Sequence, residues 1–165
     1  MTVRVCLPWP NPCLRTPAAE VEEITDEIKS IWADMIDTME AMPGVGLAAP
    51  QIGIGLRLAV VDASTERGRA VRLANPVILQ ASSELRSHTE ASPNLPGVSA
   101  KLKRPRQVTV RYLAADGRIT RRDFEGLEAT SVQHQIDHLD GMMYFDRLSK
   151  LKRDMLVRKA KKLNG

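Results

Sequence analysis

The sequence predicts a mixed α+β domain in which strands wrap around a central helix. Three observations carry that prediction. From Glu20 to Met42 the apolar residues Val21, Ile24, Ile28, Ile31, Met35, Met39 and Met42 recur at helical spacing, which predicts a long first helix packed on one face. Leu56 to Asp62, Val71 to Leu79, Gln107 to Leu113 and Arg118 to Phe124 read as strands, and Asp116-Gly117 supplies a turn between the last two. Gly126 then opens a helix that is apolar on one side through Val132, Ile136 and Leu139 and bears two histidines on another. Such a helix is buried from both directions, its aliphatic stripe toward the core and its histidines toward a cleft.

The flanking segments follow from their own chemistry. Pro8, Pro10, Pro12 and Pro17 make residues 1 to 17 an extended, irregular arm. Pro43-Gly44 ends the first helix. At the other end Leu148, Leu151, Met155, Leu156, Ala160 and Leu163 recur at near-helical spacing and predict an amphipathic C-terminal helix. Residues 150 to 165 hold seven Lys and Arg against Asp154 alone, so the net charge of +4 is a property of this tail and the rest of the chain is slightly acidic. A solvated cationic face is the ordinary reading of such a tail; contact with nucleic-acid phosphates is the alternative.

At 165 residues and 43% hydrophobic content the chain can bury one sizeable core. We expect a single domain over 1–149, with 150–165 as its basic helical tail. Two cysteines and no apolar run of membrane length predict a protein that neither depends on disulfides nor enters a membrane. The first residues lack a basic stretch followed by a long apolar one, so a cytoplasmic location is the default expectation.

The chemistry concentrates in Gln133-His134-Gln135-Ile136-Asp137-His138. Each helical residue turns about 100°, so His138 lies about 40° round from His134, with Gln135 about 60° beyond His138 on the same side. All three can face one cavity. In an H-E-x-x-H helix the two imidazoles bind a metal while the Glu accepts a proton from metal-bound water. Glutamine keeps the shape of that Glu, yet its neutral amide has no basic lone pair near pH 7. A core helix with two hydrogen-bonded histidines and no metal is the plainer reading of these residues alone.

Two further segments add to the evidence. Gly44-Val45-Gly46-Leu47-Ala48-Ala49-Pro50-Gln51-Ile52-Gly53 resembles the G-x-G-L-A-A-x-Q motif of the peptide deformylases, whose other motifs are E-G-C-L-S and H-E-x-D-H. The third matches as His134-Gln135-Ile136-Asp137-His138 and the second aligns with Glu90-Ala91-Ser92-Pro93-Asn94. The resemblance runs in the same order from Leu14-Arg15 to Phe145-Asp146-Arg147-Leu148-Ser149, nearly the whole chain.

That resemblance implies the fold of the family and its activity: hydrolysis of the formyl group from the N-terminal methionine of nascent proteins, with Fe(II) or another divalent ion such as Zn or Ni held by two His and a Cys. His134 and His138 match the imidazole ligands. Ser92 stands in the place of the Cys, and a neutral hydroxyl is a far weaker ligand than a thiolate. Gln135 stands in the place of the catalytic Glu. Gln51 matches the side-chain donor to the oxyanion, but the partnering backbone N–H would belong to Pro93, which has none. Gly44, Gly46 and Leu47, with the strand-like edge at 44 to 47, would line a groove that pairs with an extended peptide. The glycines otherwise serve only as loop residues.

The expectation is therefore a deformylase fold with absent or severely weakened activity, holding a divalent metal weakly or not at all. An active deformylase or a metallohydrolase of altered substrate is one alternative; a non-catalytic binder of N-terminal peptides, or of the ribosome through residues 150–165, is the other. His88 and Glu90 are candidates to repair the metal site, although His88 reads more simply as a surface loop residue and Glu90 as a structural ion-pair partner of Arg106. Cys6 and Cys13 lie in the N-terminal arm, aligned with no ligand position. Asp137 reads as a packing partner of the helix rather than a ligand.

Overall fold

The computed structural model describes residues 2–165; Met1, the first residue of the expected arm, lies outside them. Helix α1 spans Asp26–Ala41, strands β1 to β3 span Gly46–Ala48, Leu58–Val61 and Val71–Ala81, and the β4–β5 pair spans Leu85–Glu90 and Ala100–Pro105. Strands β6 (Gln107–Leu113) and β7 (Ile119–Glu125) lead into helix α2 (Gly126–Leu139), and helix α3 (Lys150–Asn164) closes the chain. Five strands form an antiparallel sheet in the order β1-β2-β3-β6-β7, and β4 with β5 forms a separate two-stranded sheet.

Strand β2 explains how the layers assemble. Its four residues are all buried, and they alternate: Ala59 and Val61 join the cluster of Val132, Ile136 and Leu139 from α2, whereas Leu58 and Val60 join Ile28, Trp32, Met35 and Met39 from α1. Period-two side chains thus bury one sheet face under each helix. A third cluster, with Leu95, Val98, Leu102, Tyr144 and Phe145, packs the β4–β5 pair and the 95–98 loop against Leu156 and Ala160 of α3.

Several expected boundaries move. The first helix begins at Asp26 rather than Glu20, because the Thr25 hydroxyl caps it by accepting from the Ile28 N–H at 3.2 Å, with Asp26 and Glu27 in the first turn. Val21 is instead held extended by Asn75, whose amide accepts from its N–H (2.8 Å) and donates to its carbonyl (2.7 Å). Strands β4 and β5 were not anticipated, since their inward positions include Glu90 and Arg104 rather than a purely apolar row. In α3 only part of the expected apolar stripe is covered: Leu156 and Ala160 are buried, while Leu151, Met155 and Leu163 are exposed.

The 62–69 turn is held by one carboxylate. Asp62 accepts from the N–H (3.0 Å) and hydroxyl (2.6 Å) of Ser64 and from the Arg69 N–H (2.9 Å). Burial acts to raise its pKa, but those bonds and the Arg67 charge outweigh burial and leave it below the ordinary value. A depressed folded-state pKa contributes stability that is full above the unfolded-state value near 3.9 and is lost as pH falls through the folded one. The Ser64 and Arg69 amides should therefore lose hydrogen-exchange protection below about pH 4, and Asp62→Asn should remove that acid dependence.

Candidate active site

A cleft of about 460 Å³ lies between α2, the 43–46 edge and the 88–98 segment. Among its walls are Gly46, Gln51, Glu90, Ser92, His134 and Gln135, so the structure gathers residues from all three of the motif segments. Leu47 and His138 are exceptions, since neither is among the cleft walls: His138 is 1% exposed, and the Leu47 side chain is fully buried with Trp32 and Met35 because strand alternation sends it toward α1 while Gly46 faces α2. Two of the edge carbonyls proposed for peptide pairing are already engaged. Arg67 donates to the Gly44 carbonyl (2.7 Å), and the Ser131 hydroxyl and Asp62 N–H donate to that of Val45 (2.8 and 2.9 Å).

Helix α2 is pressed against Gly46. A Cβ placed there would lie 2.5 Å from both Gln135 Nε2 and Ser131 Oγ. The glycine leaves room for the ends of these two side chains. Gly46→Ala should cost about 1–3 kcal/mol by overpacking and lower the melting temperature measurably; an unchanged melting curve would show that the Gln135 and Ser131 side chains turn aside freely.

His134 and His138 turn their Nε2 atoms toward one another at 3.2 Å. Two nitrogens bound tetrahedrally at about 2.0–2.1 Å stand roughly 3.3 Å apart, so this spacing suits a shared metal. The Glu90 carboxylate accepts from Nδ1–H of His134 at 2.8 Å, which leaves Nε2 of that ring bare toward the cleft, as in a carboxylate–histidine–metal arrangement. His138 has no such support. It is 1% exposed, and its Nδ1 is buried without a hydrogen-bond partner among the described residues. Burial, then the charges of His134 and Arg104, holds its pKa well below the ordinary imidazole value.

Glu90 is anchored by charge. Burial acts to raise its pKa, yet the hydrogen bonds and charges of His134 and Arg104 prevail and bring it to about 2. Its cationic partner is Arg104, at 2.6 and 2.9 Å, and not Arg106. Arg104 sits on the inward side of β5, whereas Arg106 lies past the end of that strand, exposed beside Glu84. The network continues through Arg104 to Asp137 (3.0 Å) and from Asp137 to Arg147 (2.6 Å), and Asp137 is not among the cleft walls. His88 is half-buried on β4 and lines the cleft, rather than lying in a surface loop.

Ser92 and Gln51 meet at a residue to which the sequence reading gave no role. The Asn94 amide oxygen accepts from Gln51 Nε2 (2.8 Å) and from the Ser92 hydroxyl (3.1 Å), and Gln51 Oε1 accepts from the Ala48 N–H (2.9 Å). Gln135 is 4% exposed, and its Oε1 is buried without a hydrogen-bond partner among the described residues. Cys6 and Cys13 remain free thiols in the arm. Among the described residues no group of three or more His, Cys, Asp or Glu converges as metal ligands. The two imidazoles thus fit a metal, but the complete donor set does not, because its third member is a neutral hydroxyl directed to Asn94.

The comparisons agree with this layout. The family described as polypeptide deformylase matches residues 3–154. A peptide deformylase-like protein of Bradyrhizobium diazoefficiens is 41% identical over 164 residues, covering 99% of this chain and 96% of that one. A peptide deformylase of Brucella suis is 40% identical over 165 residues, covering 99% and 94%. The crystal structure of peptide deformylase from Ehrlichia chaffeensis in complex with actinonin superposes with a TM-score of 0.92 at 32% identity, covering 99% of each chain. With a matching fold, a matching order of segments and full-length similarity, this chain belongs to the peptide deformylase family.

Proposed function

We infer that this chain is a degenerate member of the family, one that keeps a peptide-sized cleft while formyl hydrolysis is absent or severely weakened. The observation that carries the reading is the amide of Gln135, buried in the cleft wall where a proton acceptor is needed, its oxygen without a partner among the described residues. Hydrolysis of a formamide requires a proton to leave the attacking water and negative charge to develop on the carbonyl oxygen. An amide side chain accepts no proton near pH 7, and removing a general base costs about 10²–10⁴ in rate. Pro93 offers no N–H to the developing charge, and one lost oxyanion donor costs about 10²–10³. A metal in this family supplies Lewis acidity; here His134, His138 and Ser92 are the positions that would hold it, and the hydroxyl makes retention weak, so no step is assigned to it.

What remains suits recognition. Gln51 is fixed at both ends of its amide, Gly44 and Gly46 line the cleft, and the cleft is of ligand size. Calorimetry with a formyl-methionyl peptide, beside turnover assays of protein loaded with Fe(II), Ni(II) or Zn(II), tests the reading. Binding without product is the expected result; turnover at rates ordinary for hydrolytic enzymes, about 1–10³ per second, would overturn it.

A second reading concerns α3. Its cations and its exposed Leu151 and Met155 form a surface suited to a ribosomal partner, which is consistent with action in the cytoplasm. Among the described residues no helix is long and apolar enough to cross a membrane. Salt-sensitive cosedimentation with ribosomes, lost on deleting residues 150–165, is the expected outcome; cosedimentation unaffected by the deletion would remove α3 from the account.

A further inference from the structure

Asn94 is 1% exposed and its amide can point only one way. Its Nδ2 donates to the carbonyls of Leu7 (2.6 Å) and Gln51 (3.1 Å). Turning the amide over would set its oxygen against two carbonyl oxygens, so Oδ1 is obliged to face Ser92 and Gln51. The rest of the residue is equally tied: its N–H donates to Ser92 Oγ (3.3 Å) and its carbonyl accepts from Trp9 N–H (2.8 Å). An oriented acceptor is therefore built in beside the position of the third metal ligand.

We propose that Asn94 is a positioning residue that disfavours a deprotonated metal ligand at position 92, by presenting an electron-rich oxygen to the residue 92 side chain. A ligand atom stripped of its hydrogen would stand about 3 Å from another electron-rich oxygen with no donor between them, an arrangement that hydrogen-bond chemistry opposes. The same oxygen takes one of the two Gln51 Nε2 hydrogens, leaving that side chain a single N–H for any bound carbonyl. A hydroxyl at position 94 would behave otherwise, since it rotates and can donate toward its neighbour. The inference rests on reading Ser92 as the third-ligand position, and it makes restoration of a thiol there insufficient by itself.

The test compares Ser92→Cys with Ser92→Cys/Asn94→Ser and Ser92→Cys/Asn94→Thr, titrated with Co(II) in the full chain. Each second substitution sacrifices the donor to the Leu7 carbonyl, while the Gln51 carbonyl keeps the Leu7 N–H at 2.8 Å. Thermal melts of all three variants accompany the titrations. The expected result is cobalt affinity at least about tenfold tighter in a double variant, roughly 1.4 kcal/mol, with a sulfur-to-cobalt charge-transfer band that the single variant lacks or shows weakly. Mere structural damage would move affinity in the opposite direction. Cobalt binding no tighter in either double variant, for whatever reason, overturns the proposal. No turnover is read, so the result stands apart from whether the unmodified chain hydrolyses formyl peptides.

Discussion

Arg104→Met should destabilise the protein by about 3–5 kcal/mol, the range for breaking a buried ion pair by removing one partner. Arg104 and Glu90 are each 3% exposed at the side chain, and Asp137 is 6% exposed. Removing the guanidinium leaves one carboxylate without its cation and takes from the other one of its two. Arg147 still holds Asp137 at 2.6 Å, and Glu90 keeps only His134. At about 2–4 °C per kcal/mol for a domain of this size, the melting temperature should fall by on the order of 10 °C. Arg106→Met is the control: its contact with Glu84 is exposed on both sides, and such pairs contribute about 0–1 kcal/mol. Equal melting temperatures for the two variants would show that the inner pair is as dispensable as the outer one. Glu90→Gln should be milder in stability than Arg104→Met, because the amide oxygen still accepts, yet it removes the anion that selects the His134 tautomer.

The contrast between Arg104 and Arg106 also explains what the sequence could not disclose. Strands β6 and β7 were legible because Val108, Val110 and Tyr112 recur at every second position of a β-rich run and Asp116-Gly117 turns the chain, with Gly117 at φ 83°. Helix α2 was legible from Gly126 onward by its aliphatic stripe. Strands β4 and β5 were not, because their buried positions include Glu90 and Arg104, and a charge facing a partner inside reads the same as a charge facing water. The start of α1 was misplaced because Val21 and Ile24 fall in phase with the helix, while the residue that holds Val21 extended, Asn75, lies 54 positions away.

The candidate site divides in the same way. His134, Gln135 and His138 share a helix, and spacing alone predicts a common direction, but only His134 and Gln135 line the cleft with Ser92 and Gln51, whose placement there was expected from the family resemblance. Asn94 lay within a recognised segment, but its partners, Gln51 and Leu7, stand 43 and 87 residues away. A hydrogen-bond hub of that kind has no periodicity, and only the folded chain displays it. Leu47 erred in the other direction: its motif position suggested the cleft, and strand alternation placed it in the core.

The combination Ser92→Cys/Pro93→Leu/Gln135→Glu should raise formyl-peptide hydrolysis by at least about 10² over the unmodified chain when both are assayed with saturating Ni(II) or Fe(II), a conservative figure beside the roughly 10²–10⁴ attached to a general base alone. The three substitutions return a thiol to the ligand position, an N–H to the carbonyl-binding side and a proton acceptor to the helix face that already carries both imidazoles. Single substitutions should each recover far less, because groups that act as a unit are not additive. Saturating metal keeps weak retention, and the Asn94 oxygen left in place, from limiting the measurement. His134→Ala introduced into the triple variant should abolish the gain, which ties the recovered rate to the imidazole pair at 3.2 Å rather than to an unrelated surface group. A triple variant that folds, binds the metal and still turns over no faster than the parent would mean that the loss of chemistry lies outside these three positions, and the explanation built on Gln135 would fail with it.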